Sequence, residues 1–411
     1  MRSCHTSNLC AVERNLGNVV FLIQRFPGYG GAEEYVFQLV SRLNAAGFRC
    51  TVLTSDLDKR KAGGLSTSIR IVKLPVLFKI GEYAVWKGLV RTLFETKADI
   101  FHVNTYGYYH TDVISAVHKL RKFRTVFTAH GFHGLDLYLN PAKTQHATRS
   151  RLWDIRRLGR PFYDFTLGFF EIASANALVA LSQKDVDVFR WMGADESKIH
   201  EIPLGVKDIF FEEIDEELVS RMRKRFDGDP IILSVGELSW VKGKDIPLKA
   251  LAALIRRFPK ARLVYVGKNG GIYKHLKELS RRQGLERNVL FEGYVPQDEL
   301  IHYYSSADVL VHTSYAEGLS TILLEALAVG LPVVSTPAGG NAQLLMENKA
   351  GLVVPFNDPK SVCSAVEEIL CNDRLRKALR DNGRSYAANN LTWNEVTRKY
   401  LTLYQNTVKE S

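Results

Sequence analysis

One recurring pattern constrains this chain more than any other. A short apolar run meets a glycine-bearing turn, and a stretch with helical spacing follows. Ile231-Ile-Leu-Ser-Val235 runs into Gly236, and Arg262-Leu-Val-Tyr-Val266 runs into Gly267. Strands that are apolar at consecutive positions are buried on both faces, the condition of a parallel sheet covered by helices. The pattern starts at 18–23 and predicts further strands at 49–54, 69–74, 100–103, 125–128, 177–181 and 198–202. After the segment 204–229 it restarts at 231–235, then continues at 262–266, 289–291, 309–311, 332–335 and 351–355. Helices are expected over 32–43, 247–258, 272–283, 297–306 and 321–329. The alternation predicts an α/β chain of two successive open parallel sheets, with neither a sandwich nor a bundle. The expected division is a first domain over 1–206 and a second over 207–390. A C-terminal helix, 391–411, is available to pack back on the first domain; it carries Trp393, Val396, Tyr400 and Tyr404 at near-helical spacing.

The length of 411 residues agrees, at roughly 150 residues per domain, with two or three domains. An apolar content of 46% excludes a disordered chain. The five cysteines, Cys4, Cys10, Cys50, Cys363 and Cys371, are scattered and fit a reducing compartment. No apolar run approaches the ~20 residues of a membrane span, and no secretory core follows Met1, so a cytoplasmic protein is expected. The net charge of +11 is uneven. Residues 1–210 hold 28 basic and 19 acidic side chains, whereas 211–411 hold 27 and 25.

Open parallel sheets bind ligands beyond the carboxyl ends of their strands, and several groups fall there. Gly30 and Gly31 lie between the first strand and its helix, where bare backbone N–H groups can meet a phosphate. His130 follows the 125–128 strand. Gly236 opens a turn that leads to Lys242, and Lys268 follows Gly267; either cation can meet a diphosphate. In Glu317-Gly-Leu-Ser-Thr-Ile-Leu-Leu-Glu325, Gly318, Leu319 and Ser320 would offer N–H groups at a helix start. The two carboxylates suit a polyol, since each accepts from neighbouring hydroxyls. Glu325 interrupts an apolar run, an uncomfortable position for a merely solvated acid. Asp56-Leu-Asp58 and Asp185-Val-Asp187 read as a charged loop and a helix entry, and His102, His110 and His133 have no metal-ligand spacing. Neither a dinucleotide fingerprint nor a phosphate-loop signature is present, which lowers nicotinamide enzymes and P-loop ATPases as readings.

In combination these features resemble the retaining nucleotide-sugar glycosyltransferases of family 4, which have the GT-B fold of two Rossmann-like domains facing each other across a cleft. The similarity runs from about Asn18 to the tail and rests on the two glutamates followed by Gly339-Gly340. Tyr29-Gly-Gly-Ala-Glu33, Ala129-His-Gly131, Ile202-Pro-Leu-Gly-Val206 and Lys242-Gly243 match in the expected order. The resemblance implies that Glu317 contacts the donor hexose and Glu325 the donor ribose. It implies that backbone near Gly31 and 318–320 holds the diphosphate, Lys242 adds charge and His130 approaches the hexose. It further implies a nucleotide-diphosphate sugar as donor substrate, no tightly bound cofactor and no metal.

Two residues depart from the family pattern: Glu237 stands where an arginine is common, and Gln343 where a glutamate is common. The basic first half then points to the acceptor. Segments 119–124 and 149–160 concentrate arginine and lysine, the second with Trp153, Ile155 and Leu158 interleaved. The expectation is a lipid-linked or glycan acceptor and an anionic membrane surface at the inner face of the plasma membrane. No nucleic acid is expected, since no nucleic-acid motif accompanies the charge. The alternatives are a related two-Rossmann phosphorylase or epimerase, and an inactive sugar-nucleotide-binding protein.

Overall fold

The computed structural model describes residues 17–27, 31–57, 64–81, 83–121, 123–130, 132 and 163–409. Within them the consecutive apolar runs form two parallel sheets. The first has seven strands, in the order Ile199–Glu201, Ala177–Ala180, Thr125–Thr128, Ile100–Asn104, Asn18–Leu22, Arg49–Thr54 and Arg70–Lys73. The second has six, in the order Val289–Gly293, Arg262–Val266, Ile231–Val235, Val309–His312, Val333–Ser335 and Gly351–Val353. In each sheet the earliest strand is interior, with later strands added on both sides. The strand order therefore reverses beside Asn18–Leu22 and beside Ile231–Val235, and a crevice opens at the carboxyl ends there.

Helix Thr321–Val329 (TILLEALAV) shows how sequence sets packing. It is apolar on nearly every side and is covered by Leu300–Ser306 and Asp373–Asn390. It stops at Gly330, whose φ of 81° is left-handed. Burying each Leu or Ile contributes about 1.5–3 kcal/mol, so the one carboxylate in this helix must be hydrogen-bonded to be tolerated.

The segment 204–229 joins the domains. Its helix Glu216–Phe226 is capped by Asp215 and sends Arg223 to Asp308, 3.1 Å away at the base of the second sheet. The last helix, Trp393–Lys409, buries Trp393, Val396, Tyr400, Leu403, Tyr404 and Thr407, one face at helical spacing. That face packs on helix Gly31–Ala45 of the first domain. Tyr35 and Tyr400 share a hydroxyl hydrogen bond. The Tyr404 hydroxyl lies 2.7 Å from His102 Nδ1, and His102 Nε2 lies 2.8 Å from Thr128 Oγ1. One apolar cluster holds Phe21, Tyr35, Leu204, Leu233, Leu324 and Trp393, so the core is continuous between the sheets.

An antiparallel hairpin, Val76–Ile80 with Tyr83–Trp86, was not expected from the sequence. It leaves the carboxyl end of the edge strand Arg70–Lys73 and so belongs to the same end of the sheet as the crevice. Cys50, Cys363 and Cys371 are free thiols, and Cys4 and Cys10 lie outside the described residues, as do Gly30 and the basic segment 149–160. Among the described residues no helix is long and apolar enough to cross a membrane.

Candidate functional site

Three loops at the carboxyl end of the second sheet are held together by backbone contacts. The Tyr315 N–H donates to the Val241 carbonyl at 2.8 Å, and the Ser314 hydroxyl to the same oxygen at 3.2 Å. The Thr313 hydroxyl donates to the Gly243 carbonyl at 2.8 Å. Gly243 has φ +56°, and a Cβ there would stand 2.1 Å from the Thr313 carbonyl oxygen. Gly339 has φ +60°, and a Cβ there would stand 2.0 Å from the Gly318 oxygen. Only glycine meets both demands, which gives the Lys242-Gly243 and Gly339-Gly340 elements a physical reason.

This packing delivers Lys242 to Glu317, Nζ to Oε1 at 2.7 Å. His312 Nε2 lies 3.1 Å from the same oxygen. Burial pushes the Glu317 carboxyl upward, but hydrogen bonds and charge from His312 and Lys242 outweigh it and hold the group well below the usual carboxylate range. Burial lowers the His312 pKa while Glu317 raises it, and the imidazole donates its Nε2–H to the Glu317 carboxylate. Glu317 is therefore an ionised acceptor with a fixed orientation.

Glu325 has the opposite environment. It is 4% exposed and accepts from Gln297 Nε2 at 2.6 Å and from the Tyr304 hydroxyl at 2.8 Å. Burial dominates those bonds and the distant Lys207, and raises its pKa to about 7. The two glutamates are thus shifted in opposite directions by their surroundings.

Between the sheets lies a cleft of about 760 Å³. Gly31, Glu34 and Tyr35 line it from the first domain, Gly236, Lys268, Gln297, Thr321 and Glu325 from the second, and Trp393 from the last helix. A Cβ at Gly31 would meet nothing within 4 Å, so the helix start is open. Lys207 Nζ spans the cleft, 3.5 Å from Glu34 Oε1 and 3.1 Å from Asp298 Oδ1. Glu317 and Lys242 lie outside this lining and are engaged with each other. His130 has φ +53°, and its Nε2 is 3.0 Å from Asn104 Oδ1. Its ring meets Tyr35 edge-on at 5.1 Å, and burial lowers its pKa to about 3, so it is neutral.

The same geometry places the remaining expected residues. The Ser320 N–H donates to Asn341 Oδ1 at 3.3 Å and is not free for a phosphate. The Gly318 carbonyl is taken by the Gly340 N–H at 2.8 Å, and Leu319 packs beside Gly340. Lys268 Nζ lies 3.3 Å from Glu237 Oε1, so the departure residue neutralises the second expected cation. Gln343 donates to Glu347 at 2.7 Å, within its own helix. Asp185 accepts from the Leu181 N–H and the Ser182 hydroxyl at a helix entry, and Asp56 faces Arg25 at 3.8 Å. Among the described residues no group of three His, Cys, Asp or Glu is arranged for a metal ion.

Sequence reasoning missed His312, Gln297, Tyr304 and Asn104. A histidine closing a strand five residues before Glu317 was a readable signal for the first. The others come from elements remote in sequence and carried none.

Residues 29–208 match the model described as Glycosyltransferase Family 4, and residues 215–386 match Glycosyl transferases group 1. The chain belongs to the family 4 glycosyltransferases. Its two facing sheets are the GT-B architecture of that family. It is 29% identical to the D-inositol 3-phosphate glycosyltransferase of Xylanimonas cellulosilytica over 248 residues, 58% of this chain and 58% of that one. It is 34% identical to the GDP-mannose-dependent alpha-(1-6)-phosphatidylinositol monomannoside mannosyltransferase of Mycolicibacterium smegmatis over 189 residues, 44% and 49% of the two chains. The matched stretch thus spans about half the length of these relatives. The fold is similar to that of Anabaena HepE in complex with UDP, with a TM-score of 0.76 at 18% identity, covering 95% of this family 4 chain and 100% of the other.

Proposed function

We propose that this family 4 chain transfers a hexose from a nucleoside-diphosphate sugar to an acceptor hydroxyl, with retention at the anomeric carbon. The observation that carries the reading is the ion pair of Glu317 and Lys242 at the point where the second sheet reverses its strand order. Glu317 accepts from hexose hydroxyls, and Glu325 accepts from the ribose. Lys242 offsets the charge of the departing diphosphate. The open helix start at Gly31 offers N–H groups to that diphosphate, and the neutral His130 approaches the hexose. The bond from the anomeric carbon to the diphosphate oxygen breaks, and the acceptor oxygen attaches on the same face. Its proton passes to the departing diphosphate. No carboxylate of the cleft is assigned as a nucleophile, and a trapped glycosyl-enzyme would overturn this route.

The acceptor reading is a lipid-linked substrate, with the protein resting on an anionic membrane at its cytoplasmic face. In the hairpin beside the crevice, Leu77, Phe78 and Ile80 are 60%, 56% and 67% exposed, and Lys73, Lys79 and Lys87 are exposed around them. Apolar side chains ringed by lysines suit an anionic bilayer surface. The inositol-lipid acceptor named for the Mycolicibacterium relative accords with it. The unpaired Cys50, Cys363 and Cys371 accord with a reducing compartment.

An anomer-resolved transfer assay with UDP-, GDP- and ADP-sugars, using membrane extract as acceptor source, tests the reaction. Products formed equally without acceptor would favour a phosphorylase or epimerase, and absence of turnover an inactive binder. Co-sedimentation with phosphatidylglycerol vesicles at low salt, lost in Phe78→Glu, tests the surface. Equal recovery with and without vesicles would exclude it.

A further inference from the structure

The described cations around the donor site are spoken for, with one exception. Lys242 faces Glu317, Lys268 faces Glu237, and Lys207 faces Glu34 and Asp298. Lys244, two residues past Lys242, is 1% exposed, and its ammonium meets neutral partners. Nζ lies 3.0 Å from the Ser234 hydroxyl and donates to the Val235 carbonyl at 2.5 Å. Among the described residues no carboxylate stands within ion-pair distance of it. Its sequence neighbour Asp245 is turned to Lys249 at 2.6 Å.

Burial, joined by the charge of Lys242 and opposed by that of Glu317, lowers the Lys244 pKa to about 7, so a further negative charge brought near would hold its amine protonated. The location of that amine is informative. Nζ sits beneath Gly236, the residue that lines the cleft at the end of the central strand. A Cβ at Gly236 would stand 3.2 Å from Ile322 Cδ1 and 3.7 Å from Nζ, so the absent side chain lets the Lys244 amine approach the cleft beside Ile322. This is the point of strand reversal, where a ligand's phosphates approach. It is also one residue from Glu237, whose carboxylate is turned to Lys268.

We propose that Lys244 is the second cation of the donor diphosphate site, supplying from beneath the backbone the charge that position 237 does not. The assignment rests on the hexosyl-transfer reading above. Lys244 acts through the floor of the cleft without displacing its own hydrogen bonds, so it strengthens diphosphate binding and leaves the nucleoside portion unaffected.

Titration calorimetry on the full chain, with UDP, GDP and ADP and their nucleosides, tests this. The nucleotide that the wild type binds is carried forward. Lys244→Met is expected to weaken its binding by about ten-fold or more, while nucleoside affinity changes less than two-fold and the thermal midpoint does not fall. Adding Glu237→Arg to Lys244→Met should recover most of the loss, and Lys268→Met alone should change little. Should Lys244→Met fail to fold, Lys244→Gln keeps a donor for the Val235 carbonyl and carries the same expectation. Wild-type diphosphate affinity in the folded variant overturns the assignment and leaves the transfer reading standing. Failure of the wild type to bind any of the three diphosphates overturns both.

Discussion

The ammonium of Lys242 and the carboxylate of Glu317 meet at 2.7 Å because the loops bearing them are joined by hydrogen bonds to backbone carbonyls, although the two residues stand 75 positions apart in the chain. Their partnership precedes any substrate. If both act on the donor, they act as one unit. Glu317→Gln and Lys242→Met should each lower kcat/KM by roughly 10²–10³-fold, with the double variant no worse than the poorer single. Steady-state kinetics on the four proteins of the cycle measures this; multiplicative losses would mean independent roles.

Gly243 is the hinge pin of that unit. Gly243→Ala must move either its own backbone or the Thr313 carbonyl, since its Cβ would stand 2.1 Å from that oxygen at a φ of +56°. The expected cost is about 1–3 kcal/mol of stability. A roughly 100-fold loss of turnover should accompany it as Lys242 and Glu317 separate. Urea denaturation and the transfer assay report the two effects separately.

Glu325 sets a pH dependence of stability. Its pKa is raised from 4.5 to about 7 in the folded chain, chiefly by burial. Between those values the folded protein keeps a proton that the unfolded chain has released. Its contribution is full below 4.5 and is lost as pH rises through 7. The swing is up to about 3 kcal/mol. Urea midpoints between pH 5 and 8 should fall for the wild type relative to Glu325→Gln. Parallel profiles would mean that the carboxyl titrates normally.

Tyr404 closes a buried chain of hydrogen bonds through His102 to Thr128. Burial drives the His102 pKa down to about 3, so the imidazole is neutral and needs partners at both nitrogens. Tyr404→Phe leaves Nδ1 unsatisfied at a cost of about 1–3 kcal/mol, measurable by thermal unfolding. Donor affinity should be nearly unchanged, because this buried network joins the last helix to the first sheet and contributes no group to the second sheet's loops.

The second sheet was readable almost to the residue. Ile231–Val235, Arg262–Val266 and Thr321–Val329 are contiguous apolar runs bounded by glycine or a polar cap, and burial on all sides leaves no other pattern. The Val76–Trp86 hairpin was invisible for the same reason. Its leucine, phenylalanine and isoleucine look like core, yet they face outward. The site was readable as a set of loop ends, and its chemistry was not. Glu317 and Glu325 stand eight positions apart in one segment, but His312 and Lys242 ionise one while Gln297 and Tyr304 shelter the other. Only tertiary contact tells them apart. The same holds for Lys268, which looked like a donor cation until Glu237 was found beside it.

The last helix has a consequence for how the chain is made. The partners His102 and Tyr404 are separated by 302 residues, with the whole second sheet synthesised between them. At about 5–20 residues per second, a ribosome needs on the order of 15–60 s to supply the second after the first. Through that interval the nascent first domain exposes the apolar seat of Tyr400 and Tyr404, ready for a chaperone or for the tail of another copy. The amino-terminal half is therefore completed only after the second sheet has been made.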